Sequence, residues 1–115
     1  MKMKLTAMVG GLMVLTTAAF ALPPMWKVFD TTYKPAKNGT IAKATCVVCH
    51  VAKGKTALNL YGQDVKKQID GKTVLKEEDL KKIEELDSDK DGVNNIAEIK
   101  GDSLPGDPKS KPAKK

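Results

Sequence analysis

Past residue 22 the apolar positions recur at helical spacing. Trp26, Phe29 and Tyr33 fall at i, i+3 and i+7, which places three aromatics on one face of a short helix over residues 25–33. Lys34-Pro35 and Asn38-Gly39 then break the chain. A second short helix starts near Thr40 and runs through Ile41, Ala42 and Ala44 into Cys46, and Lys53-Gly54-Lys55 reads as a loop. Leu58, Tyr61, Val65 and Ile69 keep helical spacing up to Asp70-Gly71, where the glycine suits a C-terminal cap. Thr73 stands where it can cap a further helix; Glu77, Glu78 and Asp79 lie in its early turns, where carboxylates complement the helix dipole. Leu80, Ile83 and Leu86 give that helix its buried side, and it ends at Leu86. A last short helix spans residues 96–100 and stops at Gly101. No stretch alternates convincingly with period two and no internal repeat is visible, so the expected fold class is all-α.

The first 21 residues follow a different pattern. Lys2 and Lys4 precede an apolar run over residues 5–20, and Ala19-Phe20-Ala21 forms an A-x-A cleavage site, the layout of a secretory signal peptide. The expectation is export to the periplasm or the cell exterior, with one domain over residues 22–100 and a flexible Lys/Pro-rich tail over 101–115. No later stretch is long enough to span a bilayer, so the cleaved chain is not expected to be membrane-spanning.

The domain is poor in large apolar groups. After the leader its aromatics are Trp26, Phe29, Tyr33 and Tyr61, and a chain this size with so small a core commonly depends on a disulfide, a metal or a cofactor. Cys46-Val47-Val48-Cys49-His50 points to the third. C-x-x-C-H is the attachment signature of a c-type haem. Two thiols at that spacing reach the two vinyl groups on one edge of the porphyrin, and the next residue offers an imidazole to the iron. His50 is the sole histidine of the chain and stands at that position. A zinc site would want four ligands where three soft candidates exist. A thioredoxin-like pair would follow a strand in a βαβ unit. A plain disulfide leaves the adjacent histidine as coincidence.

The leader, the early C-x-x-C-H and the helical remainder resemble small exported monohaem cytochromes c, most like those of metal-respiring bacteria. The resemblance is specific at Cys46, Cys49 and His50 and loose over residues 40–86. It implies a small cytochrome c-like helical domain packed around one covalent haem c, held at those three residues and passing single electrons. Small cytochromes c with an early motif usually take a methionine from well downstream as distal ligand, and this chain departs from that pattern: no methionine follows His50, and only Met25 remains after the leader. Met25 is therefore the candidate distal ligand, with Trp26, Phe29 and Tyr33 walling its pocket. The alternatives are an open or water-occupied site, a lysine, the new amino terminus, or a ligand from a neighbouring subunit.

A second motif lies near the C-terminus. The twelve residues from Asp87 to Glu98 fit the calcium-loop template, with oxygen donors at positions 1, 3, 5, 9 and 12, glycine at 6 and a backbone carbonyl at 7. Asp87, Asp89, Asp91 and Glu98 are the candidate charged Ca2+ ligands, with the carbonyl of Val93, and Asn95 directly or through water. Asn94 replaces the apolar residue that pairs two loops in an EF-hand, so the motif looks more like the solitary calcium loops of bacterial exported proteins than like a calcium sensor.

Charge narrows the partners. The chain carries a net charge of +6, and every basic residue is lysine. Bidentate phosphate recognition by arginine is thus absent, and the scattered lysines do not outline a nucleic-acid surface. Lys53, Lys55, Lys66, Lys67 and Lys72 follow the motif and are placed to surround an exposed haem edge, where they would steer acidic redox partners. No catalytic base, nucleophile or substrate pocket can be named, so the expectation is an electron carrier and not an enzyme. Two alternatives stand beside it: a haem protein with an open site that binds or reduces a small ligand such as peroxide, and a calcium-stabilised assembly subunit whose haem is ligated by a neighbouring chain.

Overall fold

Five short helices account for the regular structure. The computed structural model describes residues 24–72 and 74–112, so the expected leader and the expected Thr73 cap lie outside it. Helix α1 (Pro24–Tyr33) opens at a proline, whose fixed φ suits a first helical turn. It stops at Lys34, which takes a left-handed φ of 46°. Helix α2 (Thr40–Ala44) runs into a 3-10 turn over Thr45–Val48. Helix α3 (Leu60–Gln68) is followed by α4 (Glu77–Lys81) and α5 (Asn95–Lys100). Among the described residues the only β pairing is an isolated antiparallel bridge between His50 and Leu58, so the fold is all-α. No helix among them is long and apolar enough to cross a membrane.

Each helix is too short to persist alone in water, so tertiary burial must hold them. Phe29 of α1, Ile41 of α2, Val48 of the 3-10 turn, Tyr61 and Val65 of α3, Leu80 of α4 and Ile99 of α5 meet in one core with Leu75 and Ile83. Phe29 is its aromatic hub. Trp26 stacks on it at 5.6 Å between ring centroids, Tyr33 tilts against it at 5.0 Å, and Tyr61 meets it edge-on at 6.3 Å. Such offset and edge arrangements suit the ring quadrupoles.

Three expectations need correction. Leu58 keeps the spacing of α3 but precedes the helix, in the bridge to His50. Helix α4 ends at Lys81 rather than at Leu86. Beyond it the chain winds on through i→i+3 bonds, with the Ile83 N–H donating to Leu80 (3.2 Å) and the Glu84 N–H to Lys81 (3.3 Å). Leu80 and Ile83 stay buried, but Leu86 is 45% exposed, because there the chain turns to pair with α5: the Asn95 N–H donates to the Leu86 carbonyl at 2.7 Å. The third correction concerns residues 101–112, the described part of the tail expected not to pack over 101–115. Ser103, Pro105 and Gly106 are buried. Backbone polar groups secure this segment: the Ser103 N–H donates to the Glu98 carbonyl (2.9 Å) and the Leu104 N–H to the Ser110 hydroxyl (2.9 Å).

The same segment fastens the start of α2. The Asp102 carboxylate accepts the N–H groups of Thr40 (2.8 Å) and Ile41 (3.1 Å), two of the donors that a helix N-terminus leaves unpaired. Gly39 completes the contact, since a Cβ there would collide with the Asp102 carboxylate.

Candidate cofactor cavity and acidic loop

Cys46 and Cys49 sit on and just after the 3-10 turn, as free thiols. The turn is entered through Thr45, whose φ of 46° is a costly value for a β-branched residue. The N–H groups of Cys49 (3.2 Å) and His50 (2.9 Å) both donate to the Cys46 carbonyl, which folds the motif into a single tight loop. One side chain then clamps that loop. Asn59 Nδ2 donates to the carbonyls of Val47 and Val48, each at 3.0 Å, while its Oδ1 accepts the Gly62 N–H (2.9 Å) and caps α3. The Asn59 N–H also donates to the Cys49 carbonyl at 2.9 Å. Helix α3 presses directly on the motif, because a Cβ at Gly62 would collide with the Cys49 carbonyl oxygen.

These contacts leave a cavity of about 380 Å³ beside the motif. Cys46, Cys49 and His50 line it together with Met25, Trp26 and Phe29 of α1. Val65 and Ile69 from the α3 side, and Leu58, Leu75 and Leu80, supply more of its apolar wall, and Lys66 is the charged residue among the described lining. The three motif residues and Met25 are thus brought to one space. Tyr33, expected in the wall, is not part of it: its hydroxyl donates to Glu84 Oε1 at 3.1 Å instead. Burial, with the Glu84 charge second, pushes that phenol far above its ordinary range.

The cavity's chemistry separates the readings of the cysteines. Burial, and secondarily Cys46, pushes the Cys49 thiol up to about 11. A redox-active C-x-x-C pair works through a lowered thiol pKa, and burial of Cys49 acts in the opposite direction. No carboxylate stands among the described lining to complete a zinc set. The residues do fit an iron porphyrin: two thiols and an imidazole face an apolar space within the volume range of cofactor sites. His50 Nδ1 is buried without a hydrogen-bond partner, so no competing bond from that atom fixes the ring.

In the acidic loop, carboxylate oxygens of Asp87, Asp89 and Asp91 lie within 4.8 Å of one another. Burial works against ionised Asp87, but the N–H groups of Gly92 and Asp91 outweigh it and hold its carboxyl below the usual range. Burial and the Asp91 charge push Asp89 up to about 7; burial and the charges of Asp89 and Asp91 push Glu98 up to about 8. Asn95, expected as a ligand, is committed elsewhere. It is fully buried, its Oδ1 accepts the Ser88 N–H (3.2 Å), and its Nδ2 donates to Ile83 O and Ser88 Oγ, both at 2.8 Å. Val93 contributes its N–H to Asp91 Oδ1 at 2.9 Å. The unusual Asn94 has its own purpose as the N-cap of α5, accepting the Ala97 N–H at 2.9 Å.

Asn59, Gly62 and Asp102 escaped the sequence reading. Asn59 was the most accessible of them, as an asparagine directly before an apolar helical run, a standard N-cap position. Comparison of the chain with protein-family models, curated proteins and solved structures returned no match.

Proposed function

We propose that this chain is an exported c-type cytochrome that carries single electrons through one covalently attached haem. The observation behind the reading is the convergence of Cys46, Cys49, His50 and Met25 on one apolar cavity. Cys46 and Cys49 would hold the porphyrin through thioethers and His50 would ligate its iron; the bound group supplies a one-electron redox couple. The chain's own residues set the conditions. Trp26, Phe29, Val65, Leu75 and Leu80 keep water from the site, and low polarity there tunes the potential. Asn59 and Gly62 hold the motif loop against α3, so the imidazole is positioned by a packed helix. Lys66 places a cation at the wall for the carboxylates that a porphyrin carries. Met25, 45% exposed at the start of α1, is the thioether available as a second axial ligand.

The surface supports partner docking by charge. Lys53, Lys55 and Lys66 are exposed, while Lys67 and Lys72 engage Asp64 (2.9 Å) and Asp79 (3.4 Å). A positive surface of this kind favours acidic redox partners, with association that weakens as salt rises.

The test is protein matured in a host that attaches haem. The expected product has the mass of the cleaved chain plus one porphyrin, gives a pyridine haemochrome spectrum, and loses covalent colour when Cys46 and Cys49 are both replaced by alanine. A colourless product with two free thiols overturns the reading. A sulfur-to-iron band in the oxidised protein that vanishes in Met25→Ala assigns the distal ligand. A high-spin spectrum unchanged by that substitution, with carbon monoxide binding to the reduced form, moves the function to the open-site alternative.

A further inference from the structure

The acidic loop carries a pattern that electron transfer does not explain. Glu98, on α5, is fully buried, and neither of its carboxylate oxygens has a hydrogen-bond partner. Asp89 Oδ2 and Asp91 Oδ2 are likewise buried and unpartnered. Native interiors rarely leave such oxygens unmatched, and least of all several close together. The opposite oxygens of the same residues are matched with care. Asp89 Oδ1 accepts the Asp91 N–H (3.3 Å), and Asp91 Oδ1 accepts the Val93 N–H (2.9 Å). Asp87 accepts the N–H groups of Asp91 (3.2 Å) and Gly92 (2.8 Å). The backbone therefore grips one oxygen each of Asp89 and Asp91 and leaves the other without a partner. The loop closes through Gly92, whose φ of 92° favours glycine.

From this geometry we infer that Asp87, Asp89, Asp91 and Glu98 bind one calcium ion, and that the ion fastens the loop to the helices framing the cofactor cavity. The donors are oxygens throughout, which selects a hard cation. Calcium accepts many oxygens at flexible angles, whereas magnesium demands near-ideal octahedral geometry and gives up its waters reluctantly. With Asn95 turned to Ile83 and Ser88, the carboxylates carry the coordination.

Two connections run from the loop to the cavity. Ser88 Oγ donates to Asp64 Oδ2 at 2.8 Å, and Asp64 sits on α3 beside Val65 of the cavity wall. Glu98 lies on α5, which leads through Gly101 to Asp102, the residue that holds the N-terminus of α2 and hence the entry to the motif. The site is therefore tied directly to α3 and, through Asp102, to the start of α2. Its existence is independent of what the cavity holds.

Titration calorimetry on the purified full chain, matured in an exporting host and stripped with a chelator, tests the inference. The expected result is one calcium per chain with a dissociation constant on the order of 10⁻⁴–10⁻³ M or tighter, the weaker end being that of extracellular calcium modules, and a melting temperature that rises with calcium. Glu98→Gln keeps the shape and removes the charge. It should abolish binding and make the melting temperature indifferent to calcium, while melting no lower than the stripped wild type, since the buried charge is gone. Asp64→Ala, outside the loop, should weaken calcium binding by releasing Ser88. No heat and no thermal shift at millimolar calcium would overturn the site. Equal binding of magnesium would overturn the assignment to calcium, and unchanged affinity in Asp64→Ala would overturn the fastening to α3.

Discussion

The cavity and the acidic loop are built by opposite strategies. The cavity's chemistry sits in five consecutive residues, but its wall is gathered from α1, α3, α4 and the segments between them. The acidic loop is contiguous: its four carboxylates fall within twelve residues, and much of its internal bonding is between neighbours. One site is apolar surface arranged around three reactive side chains, the other negative charge arranged around a turn. A site assembled from distant elements depends on the whole fold, whereas a site written into one loop asks the fold only to hold its two ends.

Gly62→Ala is the most severe way to break that comparison at the cavity. The new methyl meets the backbone carbonyl of Cys49, and a backbone atom has no alternative rotamer to adopt. Helix α3 must move off the motif, so a loss of about 1–3 kcal/mol is expected in denaturant unfolding. Asn59→Ala follows, at about 1–2 kcal/mol, because it removes the cap of α3 and the clamp on the motif together. Asn59→Asp sharpens the result: a carboxylate can still cap α3 but turns an acceptor toward the Val47 and Val48 carbonyls, so it should remain less stable than the wild type despite the cap.

The smallest expected effect belongs to Asp79, on α4. The Lys76 N–H bonded to its carboxylate, followed by the charges of Lys72 and Lys82, holds its pKa below the ordinary range. A carboxyl whose pKa is lowered on folding contributes stability above its unfolded value, about 3.9, and loses it as pH falls through the folded one. The stability gap between the wild type and Asp79→Asn should therefore be constant from neutrality to about pH 5 and shrink below about pH 4. A gap that holds constant down to pH 2 would show that the charge contributes nothing.

What the sequence made legible follows the same division. Groupings held in consecutive residues could be read directly: Cys46, Cys49 and His50 line one cavity, and Asp87, Asp89 and Asp91 gather their carboxylates. Helix α1 was legible because its aromatic stripe is the side it buries. Periodicity failed where tertiary bonds overrode it: Leu58 was drawn into a bridge with His50, and Leu86 was turned outward by the pairing of its carbonyl with Asn95. Asn95 fits the ligand position by spacing, yet its amide satisfies Ile83 and Ser88, a competition no linear template records. The lysine and proline content of residues 101–115 suggested a strand of chain without a place to pack. Composition cannot register that Asp102 finds unpaired amides 62 residues upstream.

That last contact ties the motif to the far end of the chain. Asp102 holds the approach to the motif, and Gly106 lies so close to Asn59 that any side chain there would strike it. A chain cut short before residue 102 would lose both contacts, and the pentapeptide would then rest on the Asn59 clamp alone.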